Sequence, residues 1–107
     1  MGKANKKKIL IIAETGISSE LFKEKFQHFI NMSKSCASVE LTSLNDFVDN
    51  INKEKYTHIL VAPNAHILEN HIKEYLRRVD SEDTRVELLS EEDYISMNIE
   101  RIMLDQL

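Results

Sequence analysis

The sequence predicts an α/β fold: a four-stranded parallel sheet covered by helices on both faces. Three observations carry this expectation. Ile9-Leu10-Ile11-Ile12 and His58-Ile59-Leu60-Val61 are continuous apolar runs of strand length, as strands buried on both faces require. Elsewhere apolar residues recur at the 3.6-residue period of amphipathic helices. The two patterns alternate along the chain as β-α-β-α-β-α-β-α, and right-handed crossovers then place the helices on both sides of one sheet.

The first strand, Ile9 to Ile12, follows the basic run Lys6-Lys7-Lys8 and leads into Ala13-Glu14-Thr15-Gly16-Ile17-Ser18-Ser19. From Ser19 to about Lys34 the spacing of Phe22, Phe26, Phe29 and Ile30 predicts a helix whose aromatic stripe packs on the sheet. Val39-Glu40-Leu41-Thr42 alternates as a more exposed strand does. Ser43-Leu44-Asn45-Asp46 reads as a capping box, with Asp in its third position, opening a short helix that carries Phe47, Val48 and Ile51. The third strand is stopped by Ala62-Pro63-Asn64. Leu68, Ile72, Tyr75, Leu76 and Val79 form the next helical stripe, Arg85-Val86-Glu87-Leu88-Leu89 a short strand, and Ile99, Ile102 and Met103 a last helix.

Composition narrows the function. The chain has 107 residues, enough for one domain with an ordinary layered core; residues 1–6 are expected to be a flexible N-terminus and 7–107 a single domain. A net charge of -4 argues against nucleic-acid binding. The basic run at Lys3, Lys6, Lys7 and Lys8 reads as a solvated terminus. No apolar run approaches the roughly 20 residues that span a bilayer, so no membrane insertion is expected and the chain reads as cytoplasmic. Cys36 is the only cysteine, which excludes an internal disulfide, and no His, Asp or Glu spacing makes a metal site. No cofactor is expected.

In open parallel sheets ligands bind beyond the carboxyl ends of the strands. That rule selects the loop 13–19 and the second loop at Pro63, Asn64 and His66. A strand, a glycine-containing loop and a capped helix start together form the usual anion-binding frame. Glu14, Thr15, Gly16, Ile17, Ser18 and Ser19 are therefore the candidate phosphate-loop residues. Yet the residue leaving the strand is Ala13, which has no nucleophile, and Glu14 is negative. Ser18 or Ser19 is expected to cap the helix and Thr15 to bond loop amides. His58 and His71 read as structural and surface residues, and Cys36 as an incidental thiol; His66 is placed where it would face the first loop.

These residues carry a resemblance. The segment from Lys7 to Leu21 is similar to the start of enzyme IIB of the lactose/cellobiose type of sugar phosphotransferase system, in which the strand ends in cysteine and the loop runs close to C-x-x-G-M-S-T-S-L. Leu60-Val61-Ala62-Pro63-Asn64 resembles that family's L-L-G-P-Q, and Val86-Glu87-Leu88-Leu89 with Tyr94 its V-E-V-I strand and later tyrosine. The resemblance covers nearly the whole chain. Together with the alternation above it implies strand order 2-1-3-4, three layers, and a phosphate loop of the kind shared with low-molecular-weight phosphatases. It also implies a cysteine that takes a phosphoryl group from a histidine of enzyme IIA and passes it to sugar bound by the membrane component IIC. Ile17 and Tyr94 would then belong to the face that docks on IIA-like and IIC-like partners.

The departures fall at the chemistry. The family's cysteine falls on Ala13, so no catalytic residue is assigned, and a methyl group carries no phosphate. Glu14 would oppose a dianion, and Glu20, at home beside a helix N-terminus, would compete with one. Ala62 replaces a glycine and Asn64 a glutamine. The expected function is a non-catalytic IIB-like regulatory or docking module. The alternatives are a Cys-to-Ala variant of a working phosphocarrier, or a IIB-like domain of a transcriptional regulator. A receiver domain would need an aspartate where strand three ends in Val61-Ala62-Pro63, a flavin site more small and aromatic residues, and a tyrosine phosphatase a loop cysteine and arginine.

Overall fold

A computed structural model describes residues 7–34, 36–81 and 83–106 of the chain, with side chains through Leu104. The expected N-terminal segment 1–6 lies outside the described residues. The elements run β1 (Lys7–Ile12), α1 (Ile17–Met32), β2 (Ala37–Thr42), α2 (Phe47–Lys53), β3 (His58–Val61), a 3-10 helix (Pro63–Leu68), α3 (Glu69–Arg78), β4 (Arg85–Leu88), α4 (Glu91–Ser96) and α5 (Ile99–Gln106). The strands form one parallel sheet in the order β2-β1-β3-β4, with Ile12 opposite Val61 and Val61 opposite Leu88 at its carboxyl end.

The period of two along β1 divides the core. Ile9, Ile11 and Ala13 face α1 and α5, packing with Phe22, Phe26, Ile30 and Ile102. Leu10 and Ile12 face the other way, onto Phe47 and Ile51 of α2 and Ile72 and Leu76 of α3. All four residues from Ile9 to Ile12 are fully buried, which explains why the central strand reads as one unbroken apolar run.

Element boundaries differ from the sequence expectation where local chemistry wins. α1 starts at Ile17, two residues before Ser19, because the chain already turns helical after Gly16. Ser43 Oγ does accept the Asp46 amide (3.2 Å), yet this closes a turn, and α2 begins only at Phe47. The stretch after β3, expected as a loop, is a 3-10 helix opened by Pro63. Leu89 lies beyond β4, although its amide still bonds Val61 O (2.9 Å). Phe29 is only partly buried, and Val79, placed in the α3 stripe by its spacing, is exposed at the helix end. A helix absent from the sequence expectation, α4, follows β4.

The base of the sheet holds a buried histidine. Thr57 Oγ1 accepts the Lys8 amide (3.0 Å) and donates to Lys8 O (3.1 Å), so its one proton is committed. His58 Nδ1, 2.9 Å from the same oxygen, is therefore the donor in that contact. Burial lowers the His58 pKa from 6.5, and Lys7 and Arg85 add to the effect while Glu87 opposes it. A depressed histidine means that the unfolded chain binds the proton first. The contribution is complete above about pH 6.5 and is lost as pH falls from there toward the folded-state pKa. Urea midpoints are expected to fall between pH 7.5 and 5.5, and His58→Gln to flatten that slope. An unchanged slope in the variant would contradict this assignment.

Candidate functional site

Hydrogen bonding of the sheet continues one residue past the strand ends. Ala13 N donates to Thr42 O (3.1 Å), Ala62 N to Ile12 O (2.9 Å) and Leu89 N to Val61 O (2.9 Å). Three chain segments therefore leave the sheet at one level. Ala13 is fully buried, its methyl in the cluster that contains Phe22 and Tyr94. From Glu14 to Ser18 the loop is exposed.

Two of the loop amides, those of Glu14 and Gly16, are engaged by side chains of the protein. Glu14 N donates to Asn64 Oδ1 (3.2 Å), which ties the first loop to the second. Gly16 N donates to Ser19 Oγ (3.1 Å), and the same hydroxyl lies 3.1 Å from Gly16 O, to which it donates. Glu20 N takes Gly16 O as the first helical bond (3.1 Å). Ser19 thus closes the helix start from inside its first turn, buried, while Ser18 stays exposed. Gly16 is extended (φ 167°), and a Cβ built on it meets nothing within 4 Å, so neither backbone nor space demands glycine there. Gly16→Ala is expected to change stability by no more than about 0.5 kcal/mol, as for a surface position. Calorimetric melting checks it, and a loss of several degrees would mean the loop is tighter than it looks.

Two expected site residues point elsewhere. His66 does not face the first loop: its Nε2 lies 2.9 Å from Leu89 O and ties the 3-10 helix to the exit of β4. Tyr94, expected on a docking face, is buried in the core at 9 % exposure, its ring 4.8 Å from that of Phe22. Its hydroxyl has no partner among the described residues, and burial raises its pKa. The cause is α4, whose start was legible in Ser90-Glu91-Glu92-Asp93: Ser90 Oγ accepts the Asp93 amide (3.1 Å), and the first turn is acidic. Ile17 is highly exposed (87 %). So are Ile67 on the 3-10 helix (84 %) and Ile95 on α4 (74 %), neither of which was singled out from the sequence.

Among the described residues no group of His, Cys, Asp and Glu could hold a metal ion, and no helix is long and apolar enough to cross a membrane. An open groove of about 810 Å³ lies away from Ala13, between Leu21, His28, Phe29 and Met32 of α1 and the Met97–Glu100 corner.

The parallel α/β sheet of order 2-1-3-4, with a short loop and a helix start at the end of β1, is a fold this chain shares with solved IIB components of the lactose/cellobiose type. The lactose-specific IIB component domain of the phosphotransferase system from Streptococcus pneumoniae superposes with a TM-score of 0.76 at 12% identity, covering 96% of this chain and 100% of that one. The cellobiose-specific phosphotransferase IIB component from Borrelia burgdorferi gives 0.71 at 16% identity, over 95% of this chain and 89% of that one. No family model and no curated protein matches the chain.

Proposed function

We propose that this chain is a IIB-like module of the lactose/cellobiose type, one domain over residues 7–107, that docks on phosphotransferase partners in the cytoplasm without carrying the phosphoryl group. The observation that carries the reading is Ala13, a buried methyl at the strand exit where the resemblance places the phosphocysteine, followed at once by exposed Glu14. The occupied amides of Glu14 and Gly16 favour the same reading. An incoming phosphate would have to displace Asn64 and Ser19 before it gained those donors.

Glu14 adds a direct cost. A unit charge at about 4 Å from another is worth roughly 4 kcal/mol at an effective dielectric constant of 20, and solvent at this exposed loop reduces that. Loss of transfer leaves docking intact, because the exposed side chain of Ile17 and the loop backbone do not depend on a nucleophile. The fold, the loop position and the exposed isoleucine support IIA-like and IIC-like domains as the partners.

The test uses the full chain. Incubated with phosphoenolpyruvate, the general phosphotransferase proteins and a lactose- or cellobiose-type IIA, it should take no label. Titration with the same IIA should shift the amides of residues 14–19, with a dissociation constant on the micromolar scale of transient contacts. Stoichiometric label on Ser18, Ser19 or His66 would overturn the non-catalytic reading. Shifts confined to the opposite end, around Lys53 to Tyr56, would overturn the docking reading.

A further inference from the structure

The three most exposed isoleucines of the described chain occupy one end of the molecule. Ile17, Ile67 and Ile95 are 87 %, 84 % and 74 % exposed. They lie five, six and seven residues past Ile12, Val61 and Leu88, which pair level with one another across the sheet. The first also borders an open groove of about 520 Å³, where Ile17 and Leu21 alternate with Glu20 and Glu24. Isolated exposed apolar residues need no explanation, whereas three gathered at the exits of adjacent strands do.

Charge says what covers them. The segments leaving the strands, residues 13–20, 43–46, 62–69 and 89–95, contain seven of the chain's 18 Asp and Glu and none of its 14 Lys and Arg. Glu69 and Asp93 are paired from outside these segments, with Lys73 (2.8 Å) and Arg101 (3.8 Å). Glu14, Glu20, Glu91 and Glu92 are exposed and have no ion pair among the described residues. A face of this sign repels nucleic acid and anionic lipid, and a second copy would present the same charges to it.

The geometry points to a protein partner whose apolar patch, bordered by lysine or arginine, covers Ile17, Ile67 and Ile95 while its cations meet the four unpaired glutamates. This rests on the docking reading above and adds the chemistry of the partner's surface. In such contacts apolar burial supplies affinity, and opposite charge supplies orientation and encounter rate. Glu14 then has a positive role at the position where a phosphate-carrying loop would not keep it.

The probe is a capped 16-residue helical peptide with leucines along one face and lysines on both borders. Two controls are the same peptide with glutamate borders and the same lysines with the leucines replaced by glutamine. Titrated against the full chain at 50 mM salt, the lysine-bordered peptide should shift the methyls of Ile17, Ile67 and Ile95, and neither control should. Binding should weaken about tenfold in the Ile17→Ser, Ile67→Ser, Ile95→Ser triple variant. It should weaken by a similar factor when Glu14, Glu20, Glu91 and Glu92 are all changed to Gln, and at 300 mM salt. Every substituted side chain is exposed, so folding is preserved and is checked by amide dispersion. Equal binding of the leucine-free peptide reduces the surface to an acidic cluster and overturns the proposal. So do equal binding of the glutamate-bordered peptide, shifts centred on Met32 and Met97, or no shifts at all. If the IIA titration fails while the peptide behaves as expected, the phosphotransferase partner is wrong and this surface stands; the reverse result removes the charge signature and keeps the docking.

Discussion

Phe22→Ala is expected to lower stability by about 3–5 kcal/mol, the usual cost of deleting a fully buried phenylalanine. Phe22 is 0 % exposed and lies between two aromatic neighbours, with Phe26 at 6.0 Å edge-on and Tyr94 at 4.8 Å tilted. Aromatic pairs of this kind add to plain burial, so the loss includes contact energy as well as transfer. The total stability of a chain this size is about 5–15 kcal/mol, so the loss is a large fraction of it. Phe29→Ala, two turns on but only partly buried, serves as the internal comparison and should cost clearly less. Urea denaturation of both variants measures the difference. Equal losses, or a loss below about 1 kcal/mol for Phe22→Ala, would mean that α1 presents a different face to the sheet.

Much of this fold was legible because burial left period-specific marks. The run Ile9 to Ile12 has no polar residue because both of its faces are covered, and the phenylalanines of α1 recur at the helix period because only one of its faces is. The strand order followed from those runs together with the family resemblance, and the structure has that order. What was hidden lies where short-range chemistry decides. The 3-10 helix after β3 depends on Pro63 and on His66 reaching Leu89 O, a partner 23 residues away. α4 is six residues long, too short for a hydrophobic period to show, and its Ser90 cap was its only clear signal. Missing α4 hid the burial of Tyr94. The loop itself was half legible: the positions of Ala13 and Glu14 were plain, but Asn64 Oδ1 taking the Glu14 amide joins residues 50 apart and leaves no local trace.

The Ala13→Cys variant is expected to carry an unreactive thiol. The Ala13 side chain sits in the apolar cluster with Phe22 and Tyr94, and a thiol in apolar surroundings holds its proton above the ordinary value of about 8.5. Glu14 beside it pushes the same way, because a neighbouring carboxylate disfavours a thiolate. Alkylation rate against pH should therefore show a midpoint above about 8.5, and the variant should take no phosphoryl group from IIA at neutral pH. Adding Glu14→Gln removes one of the two causes. The midpoint should fall by about one unit, which at pH 7 raises the thiolate fraction about tenfold. Phosphoryl acceptance should first become detectable in that double variant. A single Ala13→Cys variant that alkylates with a midpoint near 7 and is phosphorylated stoichiometrically would show that the loop is a working phosphate site lacking only its sulfur. Glu14 would then be an innocent neighbour, and the chain an inactivated phosphocarrier rather than a docking module.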